Sequence, residues 1–234
     1  MNVNQLSNRL ALVASFLPEK SNFADIGSDH AYLPCYVCLR DEKAKAIAGE
    51  VNEGPYQSAL NEVNAHNLSD RIDVRLGNGL QVLEENEVNQ IVIAGMGGPL
   101  IRDILDEGKD KLGAVDRIIV QPNIDARSLR IWFKEQGYAL KEEEILEENG
   151  HIYEVLVAEK GDPLSGYETE QIEKELWLGP HLLKKNDQTF HQKWRAELEK
   201  KQYILEQVQR SSQVDEEKIV QLKKEITWLK EVLA

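Results

Sequence analysis

Asp25-Ile26-Gly27-Ser28-Asp29-His30-Ala31-Tyr32, DIGSDHAY, follows a short apolar run and precedes a helical pattern. At such a strand-to-helix junction an α/β sheet places its nucleotide-binding loop, because backbone N–H groups and a helix start can approach a ligand closely there. The stretch does not complete a G-x-G-x-x-G fingerprint, since Asp29 and Ala31 stand where further glycines would be needed. A pyrophosphate cradle depends on the close approach that those glycines permit. The loop therefore reads as a binding loop for something other than a dinucleotide.

Working outward, residues 21 to about 160 alternate β-rich runs with helical patterns. Strands are expected at Phe23–Ile26, Ala44–Gly49, Ile72–Leu76, Gln90–Ala94 and Arg117–Val120, with helices beginning near Ala31, Glu53, Pro99 and Asp125. That alternation predicts a parallel sheet of βαβ units. The helix Asp125–Gln136 ends at Gly137, and Tyr138–Leu146 and Ile152–Glu159 then flank an Asn149-Gly150 turn, so a β-hairpin closes the sheet. Five parallel-type strands closed by a hairpin make the seven-stranded Rossmann-like sheet of class I methyltransferases. A helix at Asn4–Phe16 is expected to cover one side.

After the linker-like Gly161-Asp162-Pro163-Leu164-Ser165-Gly166 the pattern becomes helical. Ile219, Leu222, Ile226, Leu229 and Leu233 step by three and four residues, and Trp194, Leu198, Leu205 and Val208 continue that register upstream. With a turn at Ser211-Ser212-Gln213, these runs predict an antiparallel coiled-coil hairpin over 161–234, attached to a catalytic domain over 1–160. Two runs that satisfy each other favour a monomer over an intermolecular zipper.

The chain carries 28 Lys and Arg against 41 Asp and Glu, a net charge of −13. This argues against a simple polycationic nucleic-acid binder, though not against a local basic face. Residues 1–160 account for −11 of it and residues 161–234 for −2, so the tail with Lys184, Lys185, Lys193, Arg195, Lys200 and Lys201 repels a polyanion least. Neither a basic leader before an apolar core nor a run approaching the roughly 18 apolar residues of a membrane span is present, and a cytoplasmic protein is expected. Cys35 and Cys38 are too few for a disulfide framework and have no partner pair for zinc, so no metal is expected and the thiols read as core residues one turn apart.

Four loops at strand C-termini supply candidate cofactor contacts, converging on the crevice where open α/β sheets bind ligands. In the first, Asp25 would brace the loop, Gly27 would admit the ligand and Ser28 would offer a hydroxyl. Glu50 follows the second strand, about 25 residues on, where an acid can accept hydrogen bonds from both ribose hydroxyls of an adenosine ligand. Asn78, between Gly77 and Gly79, has donor and acceptor capacity for an adenine edge. Gly95, Met96, Gly97 and Gly98 leave room for a planar group, Gly95 and Met96 on the cofactor side and Gly97 and Gly98 on the substrate side. S-adenosylmethionine suits such a set, because it lacks phosphates and its amino-acid end can meet polar side chains.

DIGSDHAYLP, GNGL, IVIAGMGG and Gln121-Pro122-Asn123 together resemble the bacterial tRNA (adenine(22)-N(1))-methyltransferase family, over essentially the whole chain. The resemblance implies methyl transfer from S-adenosylmethionine to N1 of one adenine in the D-arm region of tRNA, by a class I domain carrying a C-terminal helical hairpin. Asn78 departs from the Asp common in methyltransferases, and Gly95-Met96-Gly97-Gly98 replaces an Asn/Asp-Pro-Pro-aromatic segment. The groups that meet the base must then come from elsewhere. Asp29, His30 and Asn123 are candidates for hydrogen bonding and Tyr32 for stacking, while Arg127 and Arg130 are candidates for phosphate contact. The acidic runs Glu84–Glu87 and Glu142–Glu144 read as solvated faces. Two rivals keep part of these features: a methyltransferase acting on a small molecule or protein, and a non-catalytic Rossmann-like module with a coiled-coil partner site.

Overall fold

The computed structural model describes residues 2–210 and 215–234. Seven strands form one sheet, β1 (Asn22–Ile26), β2 (Lys45–Glu50), β3 (Ile72–Leu76), β4 (Gln90–Gly97), β5 (Arg117–Ile124), β6 (Tyr138–Glu148) and β7 (His151–Lys160). Their order is β3-β2-β1-β4-β5-β7-β6; β1 to β5 pair in parallel and β7 runs antiparallel to both its neighbours. This is the expected methyltransferase arrangement. Helices α1 (Asn8–Ser15), α2 (Tyr32–Arg40) and α3 (Glu53–Ala65) cover one face, and α4 (Gly98–Glu107) and α5 (Ala126–Glu135) the other.

The central strand shows why the sequence adopts this form. Ile91 and Ile93 join the cluster of Leu105, Leu129 and Phe133, while Val92 between them joins Val13, Leu33 and Val63 on the opposite face. Alternate side chains point to opposite faces, so a run that is apolar at every position buries both. Burying one such side chain contributes about 1.5–3 kcal/mol.

Several boundaries differ from expectation for local reasons. Helix α1 starts at Asn8 because the Asn2 side chain accepts the N–H groups of Asn4 and Gln5, closing a turn, and Ser7 then caps the helix by accepting from the Leu10 N–H. Glu50 is the last residue of β2 rather than the first of a loop. Strands β4 and β5 continue to Gly97 and Ile124 through irregular pairing at Ala94–Met96. That bulge lies at the strand ends where the candidate loops gather.

Beyond β7, two short helices not legible in the sequence, α6 (Ile172–Leu178) and α7 (Pro180–Lys185), precede the long α8 (Gln188–Arg210) and α9 (Glu216–Val232). Gly179 separates the short pair and Pro180 opens α7, where its missing N–H costs nothing. Helices α8 and α9 pack together, with Leu222, Ile226 and Leu229 buried. The expected turn at Ser211-Ser212-Gln213 lies outside the described residues. The helices do not stand alone: Leu178, Leu182, Phe190, Trp194 and Leu229 share one cluster with Ile145 of β6.

One expectation is overturned here. Arg130 is fully buried, donating from Nε to Glu143 and from Nη2 to Glu154, each at 2.6 Å, so it is not a phosphate contact. Glu143 is equally buried and does not belong to a solvated acidic face. Lys193 of α8 also pairs with Glu154, and the carbonyl of Trp177 accepts from Arg130. Burial works against the Arg130 charge, yet its two carboxylate partners raise its pKa on balance. The Glu154 carboxyl, disfavoured by the same burial, is lowered by Lys193 and Arg130. This cluster ties α5, the hairpin and the C-terminal helices together. Removing one partner leaves uncompensated buried charge, so Arg130→Met is expected to cost about 3–5 kcal/mol in urea unfolding. A loss below about 1 kcal/mol, the range of exposed pairs, would contradict this role.

Candidate functional site

DIGSDHAY forms a left-handed turn. Asp29, His30 and Ala31 have φ of 46°, 70° and 54°, following Gly27 at 72°. Three consecutive non-glycine residues in this region are unfavourable by about 1–2 kcal/mol each, so the surroundings must impose the conformation. Glu50 Oε1 accepts the Asp29 N–H at 2.6 Å, the Gly49 carbonyl accepts from the N–H groups of Gly27 and Ser28, and Ser28 Oγ donates to Asp25 Oδ2 at 2.6 Å. The ends of β1 and β2 thus fasten the turn. Its two carboxylate anchors, Asp25 and Glu50, are both buried.

Their electrostatics follow from burial. Burial pushes the Asp25 carboxyl up to about 7; the Ser28 hydrogen bond opposes this and the charges of Glu50 and Asp29 add to it. Glu50 is raised chiefly by burial, against the Asp29 N–H that favours its ionised form. Both shifts come chiefly from the loss of water around the carboxyl, which disfavours its charged form.

A cavity of 230 Å³ lies against this turn, lined by Asp25, Gly27, Ser28, Asp29, Gly95, Met96 and, unforeseen, Arg9 of α1. The β4 bulge directs Met96 over Gly27 so closely that a Cβ on Gly27 would collide with Met96 Cε. Glycine is needed there for its φ of 72°, whereas the Met96 methyl is the end of a flexible side chain that could move aside. Arg9 donates to Gln121 Oε1, which also accepts the Gly95 N–H at 3.0 Å. Gln121 Nε2 donates to Asn123 Oδ1 at 3.2 Å, and Asn123 Nδ2 donates to the Gly95 carbonyl at 2.7 Å. This network locks the ends of β4 and β5 against α1. Nothing in the spacing of the N-terminal helix marked Arg9; only the packing of α1 beside the strand ends brings it to the cavity.

The other candidates divide. Glu50 and Asn78 do not line the cavity; the Gly77 N–H donates to the Glu50 carbonyl at 2.8 Å, so the two loops meet, and Asn78 is exposed on that rim. His30 and Tyr32 stack on each other, centroids 5.2 Å apart and planes at 16°, with Asp29 Oδ1 3.7 Å from His30 Nε2. Gly97 opens α4 as its N-cap. Gly98 is buried where a Cβ would strike the Asp125 carbonyl, so its smallness serves the packing of α4 on the β5–α5 turn and not substrate contact. Arg127 is half-buried, 3.9 Å from Glu225. Cys35 and Cys38 are buried free thiols, which burial pushes up to about 12 and about 11, so they are inert core groups. Among the described residues no group of His, Cys, Asp and Glu could hold a metal ion, and no helix is long and apolar enough to cross a membrane.

A family model described as TrmK: tRNA (adenine(22)-N(1))-methyltransferase matches residues 23–231. The tRNA (adenine(22)-N(1))-methyltransferase of Bacillus subtilis (strain 168) is 45% identical over 235 residues, covering 100% of this chain and 99% of that one. The crystal structure of the B. subtilis M1A22 tRNA methyltransferase TrmK superposes with a TM-score of 0.94 at 44% identity, covering 99% of this chain and 100% of that one. The Streptococcus pneumoniae protein Sp1610, solved in complex with S-adenosyl-L-methionine, gives 0.86 at 44% identity, covering 98% and 100%.

Asp25 yields a test of the site's electrostatics. Because its pKa in the fold is raised above 3.8 to about 7, the folded chain keeps a proton that the unfolded chain releases. On this group's account stability is full below about pH 4 and declines as the pH rises to about 7. Asp25→Asn, which still accepts from Ser28 and cannot ionise, is expected to match the parent in thermal melts near pH 4 and exceed it near pH 8. A difference of the same size at both pH values would contradict the assignment.

Proposed function

The chain belongs to the tRNA (adenine(22)-N(1))-methyltransferase family, and from that membership we propose how its residues carry out the family reaction. The enzyme transfers a methyl group from S-adenosylmethionine to N1 of adenine 22 in tRNA. The observation that carries the assignment of the site is the 230 Å³ cavity between the left-handed turn and the β4 bulge. Its lining fits the methionine end of the donor: Asp25 and Asp29 suit the ammonium and sulfonium charges, and Arg9 suits the carboxylate. Glu50 and Asn78 extend the binding surface along the rim for ribose and adenine. The Oε1 of Glu50 is engaged with the Asp29 N–H, which leaves its second oxygen for a ribose hydroxyl.

Bound donor supplies an electrophilic methyl carbon on a positively charged sulfur. The adenine N1 lone pair lies in the ring plane and is unprotonated at neutral pH, so no strong base is required. What the protein contributes is alignment of nucleophile, methyl carbon and sulfur, and a local field that favours the positive charge developing on the ring. Asp29, whose side chain is 77% exposed at the cavity wall, and Asn123, held by Gln121 and Gly95, are the groups proposed to meet N1 and the exocyclic amine. His30 and Tyr32, already stacked, would form a wall for a base turned out of the helix, since N1 lies on the Watson–Crick edge and is inaccessible in a pair. A tRNA substrate implies work in the cytoplasm.

The direct test is incubation with labelled S-adenosylmethionine and unmodified tRNA, followed by nucleoside mapping. N1-methyladenosine is expected at position 22 and should disappear when that adenine is replaced by guanine. Methylation at another position, or of a protein or metabolite in the absence of tRNA, would contradict the reading.

A further inference from the structure

A second cavity, of 420 Å³, opens at the same end of the sheet, between the β5–α5 turn and helix α8. Its walls hold Arg127, Lys193 and Lys200, its lining includes Ile152, Trp177 and Trp194, and Asn123 stands in its wall. Through its hydrogen bond to the Gly95 carbonyl, Asn123 connects this groove to the cavity proposed for the methyl donor.

We infer that this groove is an RNA subsite, taking the nucleotide next to the methylated adenine and its phosphate; the inference rests on the tRNA reading above. Two independent observations support it. The first is charge: with Arg130 and Lys193 taken up by the buried Glu143 and Glu154, Arg127 and Lys200 are the cations the lining holds toward a ligand, in a chain whose net charge is −13. Lys200 is 66% exposed and only 3.7 Å from Glu197, and Arg127 is 3.9 Å from Glu225, so both cations are loosely paired and available to a phosphate. The second is apolar exposure at the rim: Ile124 is 68% exposed beside Asn123, offering a face for an unstacked base.

The groove also explains the arrangement of the C-terminal helices. The buried Arg130, Glu143 and Glu154 cluster, with Lys193 reaching in from α8, fixes the far wall relative to α5 and the β6–β7 hairpin. A subsite shared by both parts of the chain would register the RNA backbone against the methyl donor. An isolated helical tail could contribute charge but no such register.

Two substitutions test this without disturbing the donor cavity. Ala196 lies exposed on α8 in the groove wall, so Ala196→Trp fills the space, while Lys200→Glu reverses its most exposed cation. Tenfold or greater loss of kcat/KM for tRNA is expected for Ala196→Trp, with a matching loss in filter binding of tRNA and with donor affinity and Tm unchanged. Lys200→Glu is expected to weaken tRNA binding and reduce its log–log salt slope by about one or more. Wild-type kcat/KM and tRNA affinity in both variants would overturn the inference. So would an equal loss of donor affinity in Ala196→Trp, or a change in its sedimentation showing that the groove joins two copies of the chain. Filter binding separates this inference from the functional reading: a parent chain that binds tRNA without methylating it defeats only the latter, and one that does neither defeats both.

Discussion

The hydrogen bond from the Asp29 amide to the buried Glu50 carboxylate is the constraint around which the site is arranged. Three successive residues in left-handed conformation would relax if unanchored, and Glu50 holds the first of them from the neighbouring strand. A hydrogen bond to a charged group contributes about 1.5–3 kcal/mol, comparable to the strain of one or two such residues. Asp25 with Ser28, and the Gly49 carbonyl, supply the remainder. The turn therefore depends on the β1–β2 register: Asp25 pairs with Ala48 and Ile26 with Gly49, which brings Glu50 beneath Asp29. Sheet geometry and site chemistry are the same constraint seen at two scales.

Much of this was legible in the sequence, because the relevant signals are local. The continuous apolar run Ile91-Val92-Ile93 declares a strand buried on both faces, Asn149-Gly150 declares a hairpin, and DIGSDHAY declares a loop that cannot cradle phosphate. The antiparallel closing hairpin and the cofactor end of the sheet follow from these. The left-handed turn did not, since Asp29, His30 and Ala31 have no intrinsic preference strong enough to announce three positive φ values in succession. Arg9 was similarly silent as a cavity group, because its role arises from α1 packing beside strands more than 80 residues away in sequence, where Gln121 accepts its hydrogen bond.

Arg130 and Arg127 mark the limit of reading charge from sequence. Both lie on one short helix, three residues apart, and both looked equally suited to phosphate. Packing separates them: Arg130 faces β6 and β7, where Glu143 and Glu154 neutralise it, whereas Arg127 faces the groove beside α8. Glu143 changed role for the same reason, as alternation along β6 turns it inward while Glu142 stays exposed. The interior carboxylates are thus consumed by structural pairs, while Arg127 and Lys200 stay loosely paired at the surface of an acidic protein.

Glu50 anchors the turn that walls the cavity proposed for the methyl donor. Calorimetric titration of S-adenosylmethionine into Glu50→Ala and the parent, both checked for equal secondary structure, tests it most directly. Loss of the anchor and of the proposed ribose contact should weaken binding at least tenfold, about 1.4 kcal/mol or more. An affinity equal to that of the parent would contradict the account.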